Sequence, residues 1–340
     1  MVNSANIPVI DISNPSPDTA QEVLSAASTH GFLFIRNDGS TIPQDDITQM
    51  FNLSRTFFTQ PTASKSTHSI HTPAAGGKNR GWVTMQGEAL DPDAQKTGDP
   101  KEAFNIAPPF PTLQPLPPVL QSSSALISRF QTRCHAFCNT ILTLLASALS
   151  ISDADGGSTW FARRHDQARG PSGTIFRMLY YPATQRGGDD ESVRAGAHSD
   201  YGSVTLLFRL PGQPGLEILR PDGMWAGVPV NPAPDALGAP PILVNIGDLL
   251  SFWTGGMLKS TVHRVAFSGG EERYSMAYFC HPLDDAELET VPSKVVAERG
   301  DAAELERQRQ RLGLREGGGK GMTAKEHLDR RLKVTYGLED

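Results

Sequence analysis

From about residue 173 the chain breaks into short apolar runs separated by turn residues, and this texture constrains the fold more than any other feature. The runs fall at 175–181, 204–207, 216–219, 242–246 and 274–279. Each has the length of a strand and is too short for an ordinary globular helix. Several strands at such intervals close into a sandwich or barrel. The 32 glycines and 26 prolines among 340 residues supply the turns this requires.

The region before it reads as mixed α/β. Residues 9–12 form a strand candidate, and a helix is expected from Asp18, with Gln21 as capping partner and Ala20, Val23, Leu24 and Ala27 on one face. Gly31 stops it, and 32–35 is a continuous apolar run followed by the turn Asn37-Asp38-Gly39. A second helix fits 43–58, with Ile47, Met50, Phe51 and Phe58 together. Residues 60–118 are rich in Pro, Gly, Thr and Ser, lack periodicity, and read as a wrapping segment. The longest helical pattern, 120–149, carries Phe130, Cys134, Phe137, Ile141 and Leu145 at three-to-four spacing, a core stripe. After about 300 the chain turns charged and helical, and Thr323 with Glu326 makes a capping box ahead of Leu328 and Leu332.

Charge narrows the partners. The 31 basic against 37 acidic residues give −6, no electrostatic footprint for nucleic acid or an anionic membrane. The first residues lack the basic and apolar regions of a secretory signal, and no apolar run reaches the ~18 residues of a membrane span. Three cysteines cannot close a disulfide framework, which favours a reducing compartment. The expectation is a cytoplasmic protein that takes a small-molecule substrate, with oligomeric state open.

Chemistry concentrates in three segments. His198 and Asp200 stand two apart, so an extended chain presents both to one point. With nine histidines in the chain, a single His-x-Asp can equally be a surface hydrogen bond in a turn. His263, in an apolar-flanked segment at 259–265, adds a second imidazole, unless it is a satisfied core histidine. Two imidazoles and one carboxylate on one face form the facial triad suited to Fe(II), leaving positions for a bidentate cosubstrate and dioxygen. In the third segment Arg273, Ser275 and Phe279 alternate onto one face. An inward arginine needs an anion, and Arg273 with Ser275 can grip the far carboxylate of a dicarboxylate, the alternative being a solvated edge strand. Arg177, Leu179 and Tyr181 also share a face, opposite Phe176, Met178 and Tyr180. Facing a pocket, Arg177 is a substrate contact and Tyr181 a cosubstrate hydrogen-bond donor; an amphipathic outer strand is the alternative.

The order His198-x-Asp200, His263, Arg273-x-Ser275 resembles the Fe(II)- and 2-oxoglutarate-dependent oxygenases, in the branch of isopenicillin N synthase and the plant and fungal small-molecule dioxygenases. IPVIDIS (7–13), GFLFIRNDG (31–39), NRGW (79–82), KEAFNI (101–106), GLEILRPDGMW (215–225), VNIGDLLSFWTGG (244–256) and KSTVHRV (259–265) extend the resemblance. RAGAHSDYGSVTLLF and RYSMAYFCHP are similar to fungal enzymes of the thymine hydroxylase and tropolone synthase type, and TAKEHLDRRLKVTYG (323–337) to the tails of fungal members.

The resemblance implies an α+β fold with a mainly β core, a double-stranded β-helix (jelly-roll) flanked by N- and C-terminal helices. It divides the chain into an N-terminal α/β region (1–120), a long supporting helix (121–165), the jelly-roll core (170–285) and a C-terminal helical segment (286–340). It makes His198, Asp200 and His263 the catalytic iron ligands. Arg273, Ser275 and Tyr181 would hold 2-oxoglutarate, and Arg177, Tyr201 and Phe279 would approach the substrate. With Fe(II), 2-oxoglutarate and O2, the implied reaction oxidises a small aromatic or heterocyclic molecule of specialised metabolism by hydroxylation, desaturation or rearrangement, releasing succinate and CO2. Arg177 suggests a hydrogen-bonding or anionic group on that molecule, and Phe279 with Tyr201 a flat ring. A ferrous oxidase of the same fold that uses no 2-oxoglutarate, and a non-catalytic binding protein, are the alternatives. Two positions depart from the pattern: Leu179 stands where many relatives have asparagine, and Asp38 where many have histidine.

Other motifs carry less. The run Glu316-Gly-Gly-Gly-Lys320 fails the phosphate-loop register, because Leu314 lies six before Lys320, and reads as a connector. Cys134 and Cys138, with His135, fall in the core stripe, and Gly-x-Ser-x-Gly is absent.

Overall fold

The computed structural model describes residues 4–91, 95–110, 112–183, 192–268, 270–311 and 321–336. Its strands are β1 (Val9–Ile10), β2 (Phe32–Ile35), β3 (Gly81–Val83), β4 (Glu102–Ile106), β5 (Ile175–Tyr181), β6 (Ser192–His198), β7 (Val204–Arg209), β8 (Leu216–Leu219), β9 (Trp225–Gly227), β10 (Ile242–Ile246), β11 (His263–Phe267) and β12 (Arg273–Cys280). They form a major sheet in the order β1-β2-β10-β7-β12-β5-β4-β3 and a minor sheet in the order β6-β11-β8-β9. All pairings are antiparallel except β1 with β2.

The strands of the major sheet read as unbroken apolar runs because both faces are covered. On β12 the even residues Tyr274, Met276, Tyr278 and Cys280 join the larger core, which holds the stripes of helices Pro17–Thr29, Gln44–Phe58 and Ser124–Ala148. Phe130 of the long helix meets Phe176 of β5 and Phe208 of β7 edge-on or tilted, at 5.4 and 5.2 Å between ring centres. The odd residues Arg273, Ser275, Ala277 and Phe279, with His281 beyond the strand, line a cavity between the sheets. The two-residue period therefore divides support from chemistry along a single strand.

Local signals decide the boundaries, and several differ from expectation. The first helix begins at Pro17, capped by the Ser16 hydroxyl, which accepts from the Thr19 N–H; Gln21 instead reaches the Ala148 carbonyl. The expected 120–149 helix is two, Pro118–Gln121 and Ser124–Ala148. The wrapping segment contains β3 and β4, which pair with each other, β4 also extending the major sheet from β5. Sheet pairing fixed these strands, which carry too few alternating residues to show themselves. The capping box forms as expected: Thr323 N–H donates to Glu326 Oε2 (2.8 Å) and Glu326 N–H to Thr323 Oγ1 (3.3 Å), opening helix Ala324–Tyr336. Cys134 and Cys138 are buried core residues, and the Glu316–Lys320 run lies outside the described residues. Asp38 is exposed, accepting from the Ser40 N–H in its turn.

Candidate active site

Strand register brings the two imidazoles together. His198 ends β6 and His263 begins β11, directly opposite each other, with ring centres 4.3 Å apart. Asp200 lies in the turn after β6, and its Oδ1 is 3.8 Å from His198 Nε2 and 3.6 Å from His263 Nε2. The three potential ligand atoms lie within 4.8 Å of one another.

Hydrogen bonds set which atoms are free. His198 Nδ1 faces the Gly196 carbonyl at 2.7 Å and His263 Nδ1 the Thr261 carbonyl at 3.1 Å. A carbonyl only accepts, so each Nδ1 carries the proton and each Nε2 keeps a bare lone pair when the ring is neutral. Burial, and then neighbouring His263, push His198 down to about 4, so it is neutral at ordinary pH. Asp200 Oδ2 accepts from Thr205 Oγ1 (2.7 Å) and Asn245 Nδ2 (2.6 Å), which leaves Oδ1 toward the imidazoles. Burial would raise this carboxyl, but His263, His198 and the two donors hold it below its usual value. Two lone-pair nitrogens and one carboxylate oxygen converging on a point suit a divalent metal.

The turns are themselves locked. Gly247 approaches the Gly202 carbonyl so closely that a Cβ would lie 2.2 Å from it, and Asp248 N–H donates to the Asp200 carbonyl (2.8 Å). Gly31, at φ 67°, leaves no room for a Cβ beside Lys259 and Thr261, the approach to His263. His165 donates from Nδ1 to the Phe161 carbonyl (2.7 Å), so its Nε2 accepts from Ser203 Oγ (2.9 Å) and steadies the far end of the Asp200 turn.

Farther along the cavity Arg273 is buried, 3% exposed, with Nε on the Pro214 carbonyl (2.9 Å), Nη1 on Ser275 Oγ (3.2 Å) and its guanidinium over the Tyr181 ring. No acid pairs with it among the described residues, and burial lowers its pKa. Such a guanidinium awaits an anion. Leu179, which departs from the asparagine of many relatives, packs in the cavity's apolar wall. Helix Ala324–Tyr336 roofs the opposite end with Leu328, Leu332 and Tyr336.

All nine expected site residues thus line one cavity. Two of the three residues expected to meet the organic substrate already have polar partners. Arg177 pairs with Glu88 and donates to Tyr336 Oη (2.7 Å), whereas Tyr201 shares a hydrogen bond with Thr335 Oγ1 (2.5 Å) beneath the Arg331 guanidinium. The sequence patterns above do not mark Asn245 or Thr205, although an asparagine within the run Ile-Leu-Val-Asn-Ile is a visible signal of a buried polar task. Glu88 and Lys101 had none, lying where no period could assign them a face.

Residues 172–282 match the family model of the 2OG-Fe(II) oxygenase superfamily, and 7–125 match the N-terminal model described as non-haem dioxygenase in morphine synthesis. A proline hydroxylase of Petromyces alliaceus is 30% identical, over 80% of this chain and 83% of its own. The chain belongs to the 2OG-Fe(II) oxygenase superfamily. A UPF0676 protein of Schizosaccharomyces pombe is 33% identical over 99% of the chain and 94% of its own. Neurospora crassa thymine hydroxylase, solved with α-ketoglutarate, superposes with a TM-score of 0.73 at 28% identity, covering 96% of each chain. The enzyme is a 2-oxoglutarate-dependent dioxygenase with the jelly-roll fold of these relatives, using Fe(II), 2-oxoglutarate and O2. No helix among the described residues is long and apolar enough to cross a membrane.

Proposed function

We propose that His198, Asp200 and His263 hold Fe(II), that Arg273, Ser275 and Tyr181 hold 2-oxoglutarate, and that the rest of the cavity presents a small aromatic or heterocyclic molecule for oxidation. The carrying observation is the triad's three free lone pairs in the same cavity as a buried arginine that has no acid partner among the described residues. When bound, iron with 2-oxoglutarate and O2 supplies the oxidant as the cosubstrate is decarboxylated to succinate and CO2.

The chain's own residues position and shield. The two Nδ1–H groups, fixed on backbone carbonyls, aim the imidazoles, and Thr205 and Asn245 aim the carboxylate. Arg273 and Ser275 anchor the dicarboxylate's far end. Arg177, Tyr201 and Phe279 face the organic substrate, and the roof helix covers them. A flat ring is supported by Phe279 and Tyr201 in the lining and by the complex of the Neurospora relative with thymine. Pose relative to the triad selects among hydroxylation, desaturation and rearrangement. Fungal 2-oxoglutarate-dependent dioxygenases among the relatives support a place in specialised metabolism. Free, buried Cys134, Cys138 and Cys280 are in keeping with a reducing, cytoplasmic setting.

The test is aerobic turnover with Fe(II), 2-oxoglutarate and a panel of small ring compounds. Succinate should appear in proportion to substrate oxidised, and His198→Ala should abolish it. Iron-loaded, folded protein that forms no succinate with any member of the panel overturns the proposal. Anaerobic titration with 2-oxoglutarate should give a weak visible charge-transfer band, which a ferrous oxidase using no 2-oxoglutarate would lack.

A further inference from the structure

The far end of the cavity holds a closed group of charges in which the substrate-facing Arg177 is tied to three residues, Glu88, Lys101 and Asp99, that have no part in the proposed reaction. Glu88 is 4% exposed, and its Oε2 takes the Arg177 guanidinium while Lys101 Nζ stands 3.7 Å away. Lys101 in turn pairs with Asp99 (2.5 Å), which also accepts from the N–H of Gly196, two residues before His198 (2.9 Å). Two cations face two anions, and the quartet has no net charge. Arg177 has spent Nη2 on Glu88 and Nη1 on Tyr336, so its charge is not available to an incoming anion.

What this end lacks is hydrogen-bond donors. Among the described residues, Glu88 Oε1 and Asn105 Oδ1 are both buried without a hydrogen-bond partner, and Arg177 Nε is an unmatched donor beside them. Asn105 stands beside Arg177 across the β4–β5 pair, and Ala277 on the other side leaves space. A buried acceptor left unmatched has lost its water without compensation, and a ligand donor recovers that loss. A carboxylate would instead bring a further negative charge beside the buried Glu88.

Building on the assignment of this cavity as the substrate site, we infer that Glu88 is a specificity-determining residue: it neutralises Arg177 and makes the site select an uncharged molecule bearing an N–H or O–H donor over its carboxylate counterpart. Glu88→Gln keeps the shape, frees the Arg177 charge and should reverse the preference.

The test compares benzamide with benzoate, one ring carrying an amide donor or a carboxylate, by anaerobic calorimetry on the Fe(II) and 2-oxoglutarate-loaded enzyme. Wild type should bind benzamide about tenfold or more tighter than benzoate, and Glu88→Gln should bind benzoate the tighter. In Glu88→Gln/Arg177→Gln, which leaves no lone buried charge should the single variant fold poorly, the two affinities should converge. Equal or tighter benzoate binding by wild type, binding of neither probe, or an unchanged preference in the variants overturns the inference. Calorimetry reads the probe while the visible band reads 2-oxoglutarate chelation, so failure of the cosubstrate assignment shows separately.

Discussion

Asp200 illustrates how much of the site is decided by atoms that would never touch the metal. Its outer oxygen is held by Thr205 and Asn245, so its inner oxygen is aimed before any ion arrives. Asn245→Ala removes a donor to a buried carboxylate and should weaken Fe(II) binding about 10- to 100-fold, measured by anaerobic titration, with little change in the fold's spectrum. The triad itself was legible from His198, Asp200 and His263 because the residue types carry the chemistry wherever the chain puts them. Their support was less so. Asn245 betrays itself by polarity within an apolar strand, whereas Glu88 sits in a stretch with no period, and its meaning comes from Arg177, 89 residues away.

Among the elements, the roof helix Ala324–Tyr336 joins the cavity through several independent contacts. Tyr336 reaches Arg177, Thr335 reaches Tyr201, Arg331 covers the Tyr201 ring and Lys78 pairs with Asp329 (2.8 Å). Thr323→Ala breaks the capping box and should cost about 1 kcal/mol. Because the fraying end leads directly into Leu328, the substrate KM should rise while the 2-oxoglutarate KM holds, in steady-state assays paired with thermal melts. Thr323 and Glu326 announced this helix because a cap is a local device. Strands β3 and β4 were missed for the opposite reason: Gly81–Val83 and Glu102–Ile106 are strands only because β5 offers an edge.

Across the whole molecule, buried neutral histidines tie stability to acidity. Burial and the nearby His327 push His281 down to about 3, and burial pushes His327 down to about 4, against an ordinary value of 6.5. As pH falls below 6.5 the unfolded chain takes up these protons first, so folding loses stability from there toward pH 4 and is indifferent above pH 7. The loss at pH 5 should be roughly 2 kcal/mol per histidine, visible as a falling urea midpoint, and His327→Gln should flatten the slope. The two-sheet plan was legible in the short apolar runs, and the layering of helices behind the major sheet in their stripes; the cavity's charge balance emerges only when distant segments meet.

That balance has a kinetic corollary. Arg273 and Arg209 adjoin each other without an acid partner among the described residues, so one end of the cavity projects a positive field, while the quartet at the other end projects almost none. Diffusional capture of the doubly charged cosubstrate should slow as ions screen that field, and capture of an uncharged ring should not. Ionic strength thus becomes a dial that turns one ligand's arrival down and leaves the other's untouched, readable by stopped-flow mixing at two salt concentrations.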